Sequence, residues 1–142
     1  MSKIIYTNSD GTVAIIHPIG DVNDAIKAVP SGLSYEIVED SAIPSDRNFR
    51  NAWKQNSKTI ETDMTKAREI HKTNIRNART PKFTELDVEF QKALETSAST
   101  TDIVSKKQAL RDVPADSAIA SASDEAALKA QWNTSILGSS PY

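Results

Sequence analysis

The chain has 142 residues, which allows one domain of ordinary size or two small units and cannot bury much more than one compact core. A formal net charge of -2 argues against a protein that coats nucleic acid, the absence of cysteine removes disulfide and thiolate chemistry, and no run approaches the roughly 18 apolar residues of a membrane span. The opening MSKIIYTNSDG has no long apolar core of the signal-peptide kind, so a soluble protein made in a cytoplasm is expected, with no membrane partner.

Taken in order, Ile4 to Tyr6 and Val13 to Ile16 flank Asn8-Ser9-Asp10-Gly11 and predict a β-hairpin, because Asp-Gly between β-branched runs supplies the positive φ of a tight turn. Asp21 is placed to cap a short helix through Val29, with Val22, Ala25, Ile26 and Val29 on one face, and Pro30 and Gly32 stop it. Tyr35, Ile37 and Val38 predict a third strand with Glu36 and Glu39 toward water. The segment Ile43 to Trp53 fits a helical turn or a bent strand, and strand is preferred. Gln55 to Lys58 then turns the chain into Thr59-Ile60-Glu61 as a second hairpin.

Asp63 predicts the N-cap of a long helix to about Arg79, ended by Pro81, with Met64, Ala67, Ile70, His71, Ile75 and Ala78 as a narrow apolar stripe. Thr84 and Asp87 resemble a capping box that starts a new helix to about Thr96, with Leu86, Phe90, Ala93 and Leu94 on one face. The Ser/Thr cluster from Thr96 to Thr101 ends it and caps a third helix near Asp102, whose buried candidates are Ile103, Val104 and Leu110 and which Pro114 closes. The basic stretch Lys66 to Lys82 and the acidic stretch Glu85 to Glu95 then fall on two neighbouring, complementary helices. Beyond Pro114, ADSAIASAS reads as a linker, and Ser123 as the cap of a last short helix holding Ala126, Ala127, Leu128 and Trp132.

The expected fold is α+β. A small N-terminal mixed β unit (1–61) with hairpins and one short helix precedes a helical hairpin or three-helix arm (62–114), then a linker, short helix and tail (115–142).

Chemistry needs a nucleophile, a base or a metal set brought together. His17 and His71 have no second histidine three or four residues away, and four glycines form no phosphate-cradling pattern. A non-enzymatic protein without cofactor or metal is therefore expected. The basic face of Lys72, Arg76 and Arg79 offers phosphate-neutralising charge without aromatic stacking partners, so a solvated or acid-paired face is preferred to a nucleic-acid site. Trp53 fits a core centre, and Trp132 fits equally a contact with its own chain or an anchor for a partner. Partner-contact candidates are Trp132, Leu128, Leu110, Ile103 and Phe90.

The run Gln108-Ala109-Leu110-Arg111-Asp112-Val113-Pro114 resembles the signature that ends the tail-fibre assembly chaperones of tailed bacteriophages, where an aromatic and a basic residue precede it. Here Lys106 and Lys107 stand in those places, and the Asp-Trp dipeptide that usually comes before is absent. From Ile43 to Trp132 the chain is also similar to small proteins of marine and cyanobacterial phages. The resemblance implies a phage tail or tail-fibre subunit as partner, with homo-oligomerisation open. It implies a location in the host cytoplasm during assembly, or in the virion if the protein is retained there.

Overall fold

The computed structural model describes every residue from Met1 to Tyr142 and has an α+β fold. It divides into two compact units, Met1–Ala67 and Arg68–Tyr142, so the boundary lies inside the long helix rather than near residue 61. No helix is long and apolar enough to cross a membrane.

In the first unit, β1 (Ser2–Thr7) is the central strand, paired antiparallel with β2 (Val13–Ile16) and β3 (Tyr35–Glu39). The hairpin closes as the sequence predicts, with Asn8 N–H donating to the Thr12 carbonyl at 2.8 Å and Gly11 at φ +85°. Successive strand side chains point to opposite faces, and Ile4 and Ile5 are both fully buried, so both faces of β1 are covered. The Thr7 hydroxyl donates to Gln55 Oε1 at 3.1 Å, which places β4 (Trp53–Asn56) on the face of Ile5 and Lys3. The short helix α1 (Val22–Ala25), capped by the Asp21 carboxylate on Asn23 N–H and extended by a 3-10 turn at Ile26–Ala28, also packs on β1.

Two expectations for this unit are corrected. In β3 it is Val38 that is buried, while Tyr35 and Ile37 are 40% and 37% exposed. The register sets this: Val38 pairs with Lys3 and Glu36 with Ile5, so Glu36 and Val38 share the covered face. Residues 43–52 are not strand. The Asp46 carboxylate accepts Asn48 N–H at 2.9 Å, Arg50 to Ala52 form a 3-10 turn, and only at Trp53 does the chain extend into β4, paired with β5 (Thr59–Thr62). Phe49 and Trp53 are both buried, as core residues at the two ends of that turn. The Arg50 guanidinium lies 4.8 Å from the Trp53 ring centre and donates to the Val13 carbonyl at 3.1 Å, fixing the turn against β2.

The long helix α2 runs from Met64 to Glu95 without a break at Pro81. Asp63 caps it as predicted, accepting from Thr65 and Lys66 N–H. A helix-interior proline removes one backbone bond and crowds the preceding turn, at a cost of about 3 kcal/mol. Side-chain burial before and after it outweighs that cost: Ala67, His71 and Ile75 are fully buried upstream, and Leu86 and Ala93 are buried downstream. Thr84 is consequently a helix-interior residue whose hydroxyl donates to the Thr80 carbonyl, and no capping box forms there. The basic and acidic stretches therefore lie along one helix, paired locally as Lys72 with Glu69 and Lys82 with Glu85.

α2 ends where the Ser/Thr cluster predicts. Ala98 N–H reaches the Ala93 carbonyl at 2.8 Å, Ser97 N–H reaches that of Leu94, and Ser97 takes φ +55° in place of the usual glycine. Helix α3 (Thr101–Asp112) follows, with Leu110 buried, Ile103 half-buried and Val104 exposed, the last against expectation because it flanks the contact line of Ile103, Lys107 and Leu110. Lys107 pairs with Asp87 of α2. Residues 115–142 are folded rather than linker, as α4 (Ser117–Ser121), α5 (Glu125–Lys129) and α6 (Thr134–Leu137), with Ile119, Leu128 and Leu137 buried. The cap of α5 is Asp124, whose carboxylate accepts Ala127 N–H at 2.7 Å, and Trp132 lies beyond the helix end.

Because Pro81 carries the full helix-interior penalty, Pro81→Ala should raise unfolding stability by about 3 kcal/mol in urea titrations followed by far-UV circular dichroism. A helix that really broke at Pro81 would give no gain.

Candidate functional site

The densest polar cluster of the second unit is built on α2. His71 and Asn74 sit one turn apart and so share a helix face. His71 is fully buried, and both ring nitrogens are engaged: Nε2 lies 2.8 Å from the Gln131 carbonyl and Nδ1 lies 2.5 Å from the Tyr142 hydroxyl. A carbonyl can only accept, so Nε2 carries the proton and Nδ1 accepts from Tyr142. Asn74 Nδ2 donates to the same hydroxyl at 3.2 Å.

Around this core the Tyr142 ring lies nearly parallel to His71, with centroids 5.6 Å apart, and Trp132 stands edge-on to both. The indole N–H of Trp132 donates to the Gly138 carbonyl at 3.0 Å, and Gly138 takes φ +85°, a conformation that costs glycine nothing and lets the chain turn after α6. The Lys129 ammonium lies 5.8 Å from the Tyr142 ring centre. Burial pushes the His71 pKa down, partly offset by its bond to Gln131, and burial raises that of Tyr142, partly offset by Asn74. Both groups are thereby held neutral, as a cross-link between α2 and the segment after α5. Neither nitrogen of His71 is open to a substrate.

The sequence-predicted partner residues separate into two groups. Leu110 and Leu128 are 2% and 0% exposed, so they belong to the core of their own unit, a correction that follows from helices α4 to α6 closing over surfaces expected to be open. Trp132 docks back on its own chain through His71, Tyr142 and Gly138. Ile103 and Phe90 are half-buried, and the Lys107 ammonium sits 5.2 Å from the Phe90 ring centre. Of the basic face, Arg79 is spent on α3: its guanidinium donates to the Leu110 and Arg111 carbonyls at 3.2 and 3.4 Å, where a cation complements the helix C-terminus. Lys72 pairs with Glu69, and Arg76 remains on the exposed surface.

Near the tip of the α2–α3 hairpin Leu94 and Val104, expected on buried faces, are 55% and 48% exposed, as is Val88 at 50%, which the sequence reading did not single out. On a neighbouring face, a cleft of about 290 Å³ between α2, α3 and α6 has Leu86, Ala109, Leu110 and Ile136 in its lining, with Lys82, Glu85, Glu89 and Lys106 around them. In the first unit an open depression is lined by exposed His17 with Asp40, Ile43 and Arg47. No group of three or more His, Asp or Glu side chains is arranged to hold a metal ion. No protein-family model, curated protein or solved structure matches the chain.

Two outcomes follow for the buried cluster. An unfolded histidine titrates near about 6.5, and the folded His71 lies lower, so below that pH the unfolded state binds more protons. Stability is thus fully present above about pH 7 and falls on acidification, by at most about 1.4 kcal/mol per pH unit, until the folded pKa is passed. Urea midpoints measured across that range check the sign. Tyr142→Phe, which strands Nδ1 of His71 without its donor, should cost about 1–3 kcal/mol at pH 8 in the same assay.

Proposed function

We propose that this chain is a non-enzymatic bacteriophage tail protein that binds a tail or tail-fibre subunit, either retained in the virion or acting as an assembly chaperone. The observation that supports it is the α2–α3 hairpin, which leaves Val88, Leu94 and Val104 about half exposed beside a helix pair buried mainly through Leu86, Ala93 and Leu110. Exposed aliphatic groups on a rigid hairpin gain free energy by burial against a partner, whereas they do nothing for a monomer in water. The run Gln108 to Pro114, with its phage-chaperone resemblance, ends the same hairpin and supplies the class of partner.

A nucleic-acid role has less support. Arg79 and Lys72 already serve acceptors within the chain, which leaves Arg76 without the cluster that phosphate neutralisation needs.

Mass spectrometry of purified particles of the encoding phage tests the reading, with peptides of this chain quantified against a known tail protein. A fixed ratio identifies a virion component, and absence from particles with co-purification of a fibre subunit from infected cells identifies a chaperone. Absence from both sinks the proposal. The double variant Leu94→Asp, Val104→Asp should stay within about 0.5 kcal/mol per site of wild-type stability, as exposed substitutions do, while losing the tail or fibre subunit.

A further inference from the structure

The two outer edges of the three-stranded sheet are not equivalent. Asn8 donates to the Thr12 carbonyl, and stepping back by twos along the antiparallel ladder turns the backbone groups of Tyr6 and Ile4 toward β2 and those of Lys3 and Ile5 toward β3. Lys3 pairs with Val38 and Ile5 with Glu36, so Glu36 and Val38 bond inward. The N–H and C=O of Ile37, and the N–H groups of Tyr35 and Glu39, point away from the sheet. The same parity turns the Val13 carbonyl outward on β2, and there Arg50 occupies it at 3.1 Å. One outward acceptor of the β2 edge is thus capped, whereas β3 presents an open ladder without proline, lysine or a bulge.

We propose that β3 is a homodimer edge, pairing antiparallel with β3 of a second copy about a two-fold axis through Ile37. The side-chain order Tyr35-Glu36-Ile37-Val38-Glu39 is self-complementary in that register. Ile37 meets its counterpart, Tyr35 faces Glu39, and Glu36 faces Val38, so no two like charges stand directly opposite. Moving the axis by one residue, a two-residue change of register, would set Glu36 opposite its own counterpart or opposite Asp40 and so lose this matching. The Ile37 pair exchanges both of its bonds in the proposed register, and the exposed sides of Tyr35 and Ile37 gain cross-strand cover. The product is one continuous six-stranded sheet. This contact uses the first unit and stands independently of the tail-protein reading, which uses the α2–α3 hairpin.

Sedimentation equilibrium of the full chain over a concentration series tests it. Wild type should approach a mass about twice 15.5 kDa with increasing concentration. Ile37→Lys and Ile37→Glu, whose substituted side chains carry like charge across the axis, should each weaken association by about tenfold or more with unchanged circular dichroism. Mixing the two variants in equal amounts should restore the dimer, because unlike charges then face each other. A wild-type chain that stays monomeric throughout, a dimer that persists in Ile37→Lys, or a mixture that remains monomeric would each overturn the assignment.

Discussion

The second unit depends on one constraint, the continuity of α2 through Pro81. Every hydrogen bond in that unit between residues far apart in sequence starts from a residue of this helix at a fixed rotation and rise. Arg68 holds the Ala122 carbonyl at 2.8 Å, His71 and Asn74 hold the Gln131 and Tyr142 groups, and Arg79 holds the end of α3. Downstream of the proline, Leu86 and Ala93 supply the apolar contact line and Asp87 the ion pair to Lys107. A break at residue 81 would change the angular offset between these two sets and separate anchors that now act on the same elements. The proline is tolerated because the interactions on its two sides require one axis, and the Thr80 hydroxyl bonds the Arg76 carbonyl at 3.0 Å beside it.

What was legible in the sequence was local. The Asp-Gly turn, the Asp21 and Asp63 caps and the stop at Thr96 each rest on bonds within about four residues, and each stands in the structure as read. What failed depended on partners distant in sequence. Pro81 and Thr84 carry genuine break and start signals, and only the packing of residues on both sides overrides them. In β3 the apolar Tyr35 and Ile37 suggested an inward face, but strand parity is set by pairing with β1, which puts Glu36 and Val38 inward. The tail from Ala115 onward has the composition of a linker, and its order comes from Ile119, Leu128 and Leu137 together with a hydrogen bond that spans 71 residues. No local pattern could announce that bond. Trp132 and Tyr142 were two of few aromatics in the chain, and that scarcity was the available signal for a clustered role.

The same contrast governs how function can be argued. Side chains chosen from sequence as partner contacts were the large apolar ones, and size selects for core as readily as for interface. Leu110 and Leu128 accordingly went to the interior, while the exposed large aliphatic groups of the helical unit are Val88, Leu94 and Val104, whose exposure only the folded hairpin reveals. Likewise the sequence groups the cations of the basic stretch on one face, yet the fold assigns Arg79 to a helix end and Lys72 to a glutamate. Buried polar groups show the opposite economy: His71, Tyr142, Asn74 and the Gln131 carbonyl satisfy one another, and a network with its donors and acceptors matched fixes geometry rather than offering a reactive atom.

Each unit leaves a different kind of unmet valence on its outside. In the helical unit the surplus is apolar area on α2 and α3, which has no directional demand and accepts any complementary surface. In the β unit the surplus is a row of backbone donors and acceptors on β3, which accepts only another extended chain in register. Arg50 shows how such an edge is closed from within, since its guanidinium caps Val13 on β2 while also covering Trp53. No comparable side chain reaches the outward groups of Ile37, and the symmetry of the residues around it matches that edge best to itself.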